Sequence, residues 1–227
     1  MSPMPDTRVK ICCIASLREA HLAIDAGAWA LGLVSEMPSG PGPIADELIA
    51  EIAAAVRGEV ETFLLTSRTD AVAIVDHHEH CRTTTLQLVD HVPHEDLRRV
   101  RAALHGVRLV QVIHVQARDS VAEARRVAPL VDMILLDSGQ PGAPTPSLGG
   151  TGSTHDWALS RQIRDAVEVP VFLAGGLHPG NVREAIGRVR PCGVDLCSGI
   201  RHAGRLDPDR LEAFFASVRA TTPGSYR

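Results

Sequence analysis

Short, nearly unbroken apolar runs alternate with amphipathic segments along the whole chain. The runs that predict strands cover residues 9–14, 30–35, 61–66, 85–89, 108–115, 133–137, 169–173 and 193–197. Several are almost continuously apolar, as strands buried on both faces are. Between them the spacing becomes helical. In "LREAHLAIDAG" Leu17, Ala20, His21 and Ile24 follow that spacing behind Ser16, and Gly27 stands where a helix would end. The same pattern recurs in "ADELIAEIAAAV", "TDAVAIVDHHEHC", "PHEDLRRVRAAL", "DSVAEARRVAPLV", "DWALSRQIRDAV", "GNVREAIGRV" and "DPDRLEAFFASVRA". Asp156 and Asp207 are suited to cap helices, and Pro208 to a first helical turn.

Eight strands and eight helices in strict alternation place the chain in the α/β class, with a parallel sheet and crossover helices. Eight units predict a closed (β/α)8 barrel of the TIM type, formed as a single domain by residues 1–227, with 1–7 a loose extension. The alternative is a doubly wound open sheet, which often carries a Gly-rich turn after its first strand. Here that turn reads "CCIASL" and has no glycine, which favours the barrel.

Composition adds exclusions. The net charge of −4 and the scarcity of Phe, Trp and Tyr give no basic or stacking surface for nucleic acid. No apolar run approaches the roughly eighteen residues of a membrane span. "MSPMPDTRVK" lacks the apolar core of a signal peptide, so a cytoplasmic protein is expected. Five cysteines form no paired framework and read as free thiols.

Barrel active sites lie at the C-terminal ends of the strands. Those ends carry Cys12, Cys13, Ser35, Thr66, Ser67, Val89, Asp90, His114, Asp137, Gly175, Gly176, Ser198 and Gly199. Asp137 closes an otherwise apolar strand, and Asp195 interrupts another. Loops after the seventh and eighth strands commonly bind phosphate, and "AGGL" and "CSGI" fall there. Gly175, Gly176, Ser198 and Gly199 are therefore the candidate phosphate site. Cys13 should point to the face opposite Cys12, because strand side chains alternate. Cys81, Cys192 and Cys197 read as packing residues. "DHHEHC" (76–81) puts His77 and Cys81 four apart on a helix, but no second cluster is evident. It reads as a solvated helix end, and no metal site is assigned.

These rim residues, in this order, resemble the phosphoribosylanthranilate isomerase family. "KICC" matches that family's K-I-C-G, "ILLD" (134–137) its L-L-L-D, and "GGTGSTHDW" (149–157) its G-G-T-G-K-T-F-D-W. "PVFLAGGLHPGNV" and "GVDLCSGI" match the seventh and eighth units. The resemblance implies an Amadori rearrangement of an N-(5-phosphoribosyl) aromatic amine. It needs an acid at the furanose oxygen and a base at the C2 proton, and no metal or organic cofactor. By position, the resemblance makes Cys12 the base and Asp137 the acid. Gln87 and Asp195 match family positions, and His114 stands at the rim. The implied partner is a small phosphorylated sugar amine, bound by a monomer or homodimer.

The departures cluster at the substrate's aromatic end. The family commonly has S-P-R-Y after the second strand, where "PSGPGPI" (38–44) has no Arg or Lys. Val89 replaces a His, His114 an Arg, Cys13 a Gly and Ser153 a Lys. Arg68 and Arg201 are candidate replacements for the missing carboxylate anchor. The alternatives are an isomerase of another phosphorylated amino sugar, or a sugar-phosphate-binding barrel without catalysis. Nothing in the sequence shows what raises the thiolate fraction of Cys12.

Overall fold

The computed structural model describes residues 7–139 and 155–221. "GGTGSTHDW" up to Thr154, with Ser153, and residues 1–6 of the expected extension lie outside them. Eight parallel strands close into a barrel in sequence order: β1 (Arg8–Ile11), β2 (Ala30–Val34), β3 (Glu61–Thr66), β4 (Thr85–Leu88), β5 (Arg108–His114), β6 (Met133–Asp137), β7 (Val171–Leu173) and β8 (Gly193–Leu196). The crossover helices are α1 (Leu17–Asp25), α2 (Asp46–Ala55), α3 (Ala71–Cys81), α4 (His94–Ala103), α5 (Asp119–Val127), α6 (Trp157–Ala166), α7 (Val182–Val189) and α8 (Pro208–Arg219). A two-stranded hairpin, β9 (Arg201–His202) and β10 (Arg205–Leu206), precedes α8.

The helix signals act as the sequence predicts. Ser16 accepts from the Glu19 N–H, Asp156 from Ala158 and Asp207 from Arg210. Each satisfies a backbone donor that the first helical turn leaves unpaired. Strand ends differ by a few residues. β1 stops at Ile11 because Cys13 takes a left-handed φ of 63°. β7 starts at Val171, after Pro170, which has no N–H to give the ladder.

The core has two parts. One lies between strands and helices, with Ile11, Leu31, Leu64, Ile134 and Phe214 among its fully buried members. The other fills the barrel with Phe63, Val110, Val112, Met133, Leu135 and Phe172, the inward-facing residues of their strands. Above this packed plug the barrel opens into a pocket at the C-terminal strand ends.

Candidate active site

The pocket encloses about 710 Å³, part of it open to solvent. Cys12, Gln87, Asp137, Gly175, Gly176, Asp195 and Ser198 all line it, so the fold brings most of the expected site residues together. Val34, Met37, Pro41, Leu65, Val89 and Val112 form an apolar wall.

Cys12 follows β1, its N–H still donating to Leu196 O at 2.9 Å. Two residues earlier on the same face lies Lys10, wholly buried and paired with Asp195 at 2.9 Å. The strands put those two in direct register. Burial works against the Lys10 charge, but the Asp195 carboxylate, followed by Cys12, outweighs it and holds the ammonium above its ordinary range. Gly32 shows how close the cation and the Cys12 sulfur are. A Cβ at Gly32 would stand 2.7 Å from Cys12 Sγ and 2.9 Å from Lys10 Nζ. Lys10 thus places a cation, paired with Asp195, close to the Cys12 sulfur. The available signal was a lysine inside an apolar strand, in phase with the thiol. Gly32→Ala should therefore push both groups apart, costing about 1–3 kcal/mol of stability by overpacking. Activity should fall further than that loss explains, as kcat measured beside a urea melt will show.

Asp137 ends β6 beside His114, its register partner on β5. Its Oδ1 accepts from the Ser138 N–H at 2.7 Å. Protein surrounds the carboxyl although solvent reaches it through the pocket mouth. That burial, aided by the Asp195 charge, raises its pKa against the opposing Ser138 N–H and His114. His114 itself does not line the pocket. Its ring Nε2 lies 3.0 Å from Val89 O, a carbonyl that can only accept, so this nitrogen carries the proton. The imidazole borders a separate depression with Asp90 and Gln116.

The phosphate-loop glycines are geometrically constrained. Gly175 and Gly176 have φ of 84° and 63°. Gly199 does not line the pocket. A Cβ there would lie 2.1 Å from Leu177 O, so this glycine lets the seventh and eighth loops touch.

Several expectations are corrected. Cys13 does not point away from Cys12. The left-handed turn breaks strand alternation and brings its thiol into the pocket. Cys197, expected as packing, also lines the pocket. Hydrogen bonds to Cys12 and Cys197, with burial, push the Cys13 thiol up. The Cys13 bond, then Arg201, pulls Cys197 down. Neither Arg68 nor Arg201 borders the pocket. Arg201 is engaged with both Glu19 oxygens and with the carbonyls of Cys12 and Cys13. Arg68 bonds Ala73 O. "DHHEHC" is not a solvated end: His77, His78 and Cys81 are buried, and Asp46 of α2 joins two of them.

A model of the family described as N-(5'-phosphoribosyl)anthranilate isomerase matches residues 9–217. The chain belongs to the phosphoribosylanthranilate isomerase family. A member from Haloferax volcanii is 39% identical over 94% of this chain and 93% of its own. One from Methanocella arvoryzae is 35% identical over 95% and 99%. Among crystal structures of phosphoribosyl anthranilate isomerases, that from Thermotoga maritima superposes with a TM-score of 0.81 at 29% identity, covering 94% of this chain and 99% of that one. Another, in complex with reduced 1-(o-carboxyphenylamino)-1-deoxyribulose 5-phosphate, gives 0.78 at 27% identity, with the same coverage. The family's barrel is thus the barrel observed here. Among the described residues, no helix is long and apolar enough to cross a membrane.

Proposed function

We propose that Cys12 and Asp137 divide the acid–base work of the Amadori rearrangement that family membership assigns to this chain. The reaction converts N-(5'-phosphoribosyl)anthranilate into 1-(2-carboxyphenylamino)-1-deoxyribulose 5-phosphate. Asp137, its pKa raised by burial, gives its proton to the furanose oxygen as the C1–O bond breaks, leaving an iminium. Cys12, as thiolate beside Lys10, takes the C2 proton, and the resulting enol tautomerises to the ketone. The observation that carries this reading is that the Asp137 carboxyl and the Cys12 thiol line one pocket, with the buried Lys10–Asp195 pair directly behind the thiol.

Gly175, Gly176 and Ser198 receive the phosphate through backbone N–H groups, with Gly199 letting their loops approach. Gln87 offers a buried Oε1 that has no hydrogen-bond partner among the described residues, suited to a substrate hydroxyl. His114 flanks the acid and influences it by charge rather than by touching the sugar. The protein works in the cytoplasm, as a monomer or homodimer, without a cofactor in the chemistry.

Asp137→Asn tests the acid. Turnover of freshly prepared phosphoribosylanthranilate, followed by loss of fluorescence, should fall by about 100-fold. The same change has a signed effect on stability. The folded state binds the Asp137 proton more tightly than the unfolded chain does. This contribution is complete below the ordinary carboxylate pKa and is lost as pH rises through the raised value. Urea unfolding should therefore find the Asn variant gaining on the wild type as pH goes from about 3 to about 8. A constant difference across that range would remove the buried-acid assignment.

A second reading rests on the apolar wall. No Arg or Lys lines the pocket among the described residues, and 140–154 contain none in sequence. A cationic fork is the usual partner of a carboxylate. N-(5-phosphoribosyl)aniline, which lacks that carboxylate, should therefore be turned over with kcat/KM within about tenfold of the anthranilate compound, since no fork is lost. A deficit above 100-fold would mean that a carboxylate anchor operates.

A further inference from the structure

We infer that Asp46, His77 and Cys81 form a zinc-type metal site between α2 and α3, apart from the catalytic pocket. One carboxylate oxygen, one ring nitrogen and one sulfur, each within 4.8 Å of the others, meet there. None of the three lines the pocket.

The donor atoms are held as ligands are. His77 and Cys81 lie one helical turn apart on α3 and face the start of α2. His77 is 2% exposed at its side chain, and its Nδ1 meets Thr66 Oγ1 at 3.0 Å. Nε2 faces Asp46 Oδ2 at 3.2 Å, so nitrogen and carboxylate oxygen already stand side by side, and among the described residues Nε2 makes no other polar contact. The other carboxylate oxygen, Oδ1, accepts from Ser35 Oγ at 2.6 Å. Thus a hydroxyl from the end of each adjacent strand fixes the back of one ligand. Metal-binding imidazoles and carboxylates are oriented in this way.

The separations suit a tetrahedral ion. Bonds of about 2.0 Å to N and O and about 2.3 Å to S put neighbouring ligands about 3.3–3.6 Å apart. Asp46 Oδ2 and His77 Nε2 already match, and Cys81 Sγ, within 4.8 Å of a donor atom on each of the other two residues, needs to close by roughly 1.3 Å or less. A mixed N, O and S set selects zinc or cobalt(II) over magnesium or calcium. With Cys81 as thiolate and His77 neutral, two negative charges balance a divalent cation. Binding releases the Cys81 thiol proton to solvent. Asp46 is partly exposed, which leaves water access to a fourth position. Arg68 stands 3.9 Å from Asp46 Oδ2, but its side chain is 43% exposed and can move outward. The site would tie α2 to α3 at the base of the loop that carries Met37 and Pro41 into the pocket.

Cobalt(II) titration of chelator-treated protein tests this. One cobalt per chain should bind with a thiolate-to-metal charge-transfer band and strong tetrahedral d–d bands, and zinc should displace it. Zinc in excess should raise Tm by about 5–10 °C. Cys81→Ser should abolish the charge-transfer band, and Asp46→Asn, at a partly exposed side chain, should weaken cobalt by about 100-fold. Circular dichroism establishes that each variant is folded. If a variant does not fold, the wild-type band decides in competition with Cys197→Ser. A band that survives Cys81→Ser, or disappears in Cys197→Ser, places the metal on the pocket thiols and overturns the proposal. Absence of tetrahedral bands in the wild type overturns it as well.

Discussion

Cys12→Ser should lower kcat by about 1,000-fold with little change in KM, because a serine hydroxyl cannot serve as a base at neutral pH. The discriminating comparison is with the neighbouring thiols. Cys13→Ser and Cys197→Ser should each retain activity within about tenfold, since a base not used contributes nothing to the barrier. All three sulfurs stand at the same mouth, so proximity alone does not choose among them. Cys12 is the one placed beside the Lys10 ammonium, across the space left by Gly32. Hydrogen bonding with Cys12 and Cys197, and burial, push the Cys13 thiol up, and its S–H also lies 3.5 Å from Pro41 O. Cys197 is the serious rival, since its bond from Cys13 and the Arg201 charge favour its thiolate. A thousandfold loss in Cys197→Ser with an active Cys12→Ser protein would transfer the base to Cys197.

Lys10→Met should destabilise the protein by about 3–5 kcal/mol. Removing one member of a buried pair strands the other, and Asp195 is only 6% exposed. A urea melt gives the loss directly. The double replacement Lys10→Met with Asp195→Leu should recover most of it, because apolar groups of similar volume pack as well as the pair. Activity should not return with stability. The double variant lacks both the Asp195 carboxylate that lines the pocket and the cation beside Cys12. If the double variant turned over at the wild-type rate at neutral pH, Lys10 would be only a structural residue.

Much of this architecture was legible because its signals are local. The sheet strands are apolar runs, the caps are short polar side chains one residue ahead of helices, and Pro208 starts α8 where its missing N–H does no harm. Their alternation carries the topology, since parallel neighbours require crossovers. That Cys12, Asp137, Gly175, Gly176 and Ser198 would share one pocket was legible because a barrel fixes where strand ends converge, and Asp195 stood out as a carboxylate inside an apolar strand. Non-local facts were harder to read. The face of Cys13 depends on one backbone angle, and an alternation rule fails where φ turns positive. The Asp46–His77–Cys81 group joins two helices, so its spacing along the chain carries no signal. His114 sits at the rim as expected, but the Val89 carbonyl holds its ring away from the pocket.

Arg201 joins the two ends of the barrel. It reaches from the last unit to Glu19 of the first, and Glu19 accepts in turn from the Leu206 N–H at 3.0 Å, across 187 residues of chain. The same guanidinium grips the carbonyls of Cys12 and Cys13. On a ribosome adding about 5–20 residues per second, Cys12 therefore waits about 10–40 s for the segment that sets its backbone. Until then the nascent chain carries the Cys12 thiol without the contact that holds its carbonyl. The backbone around Cys12 is thus completed by a residue 189 positions further along the chain.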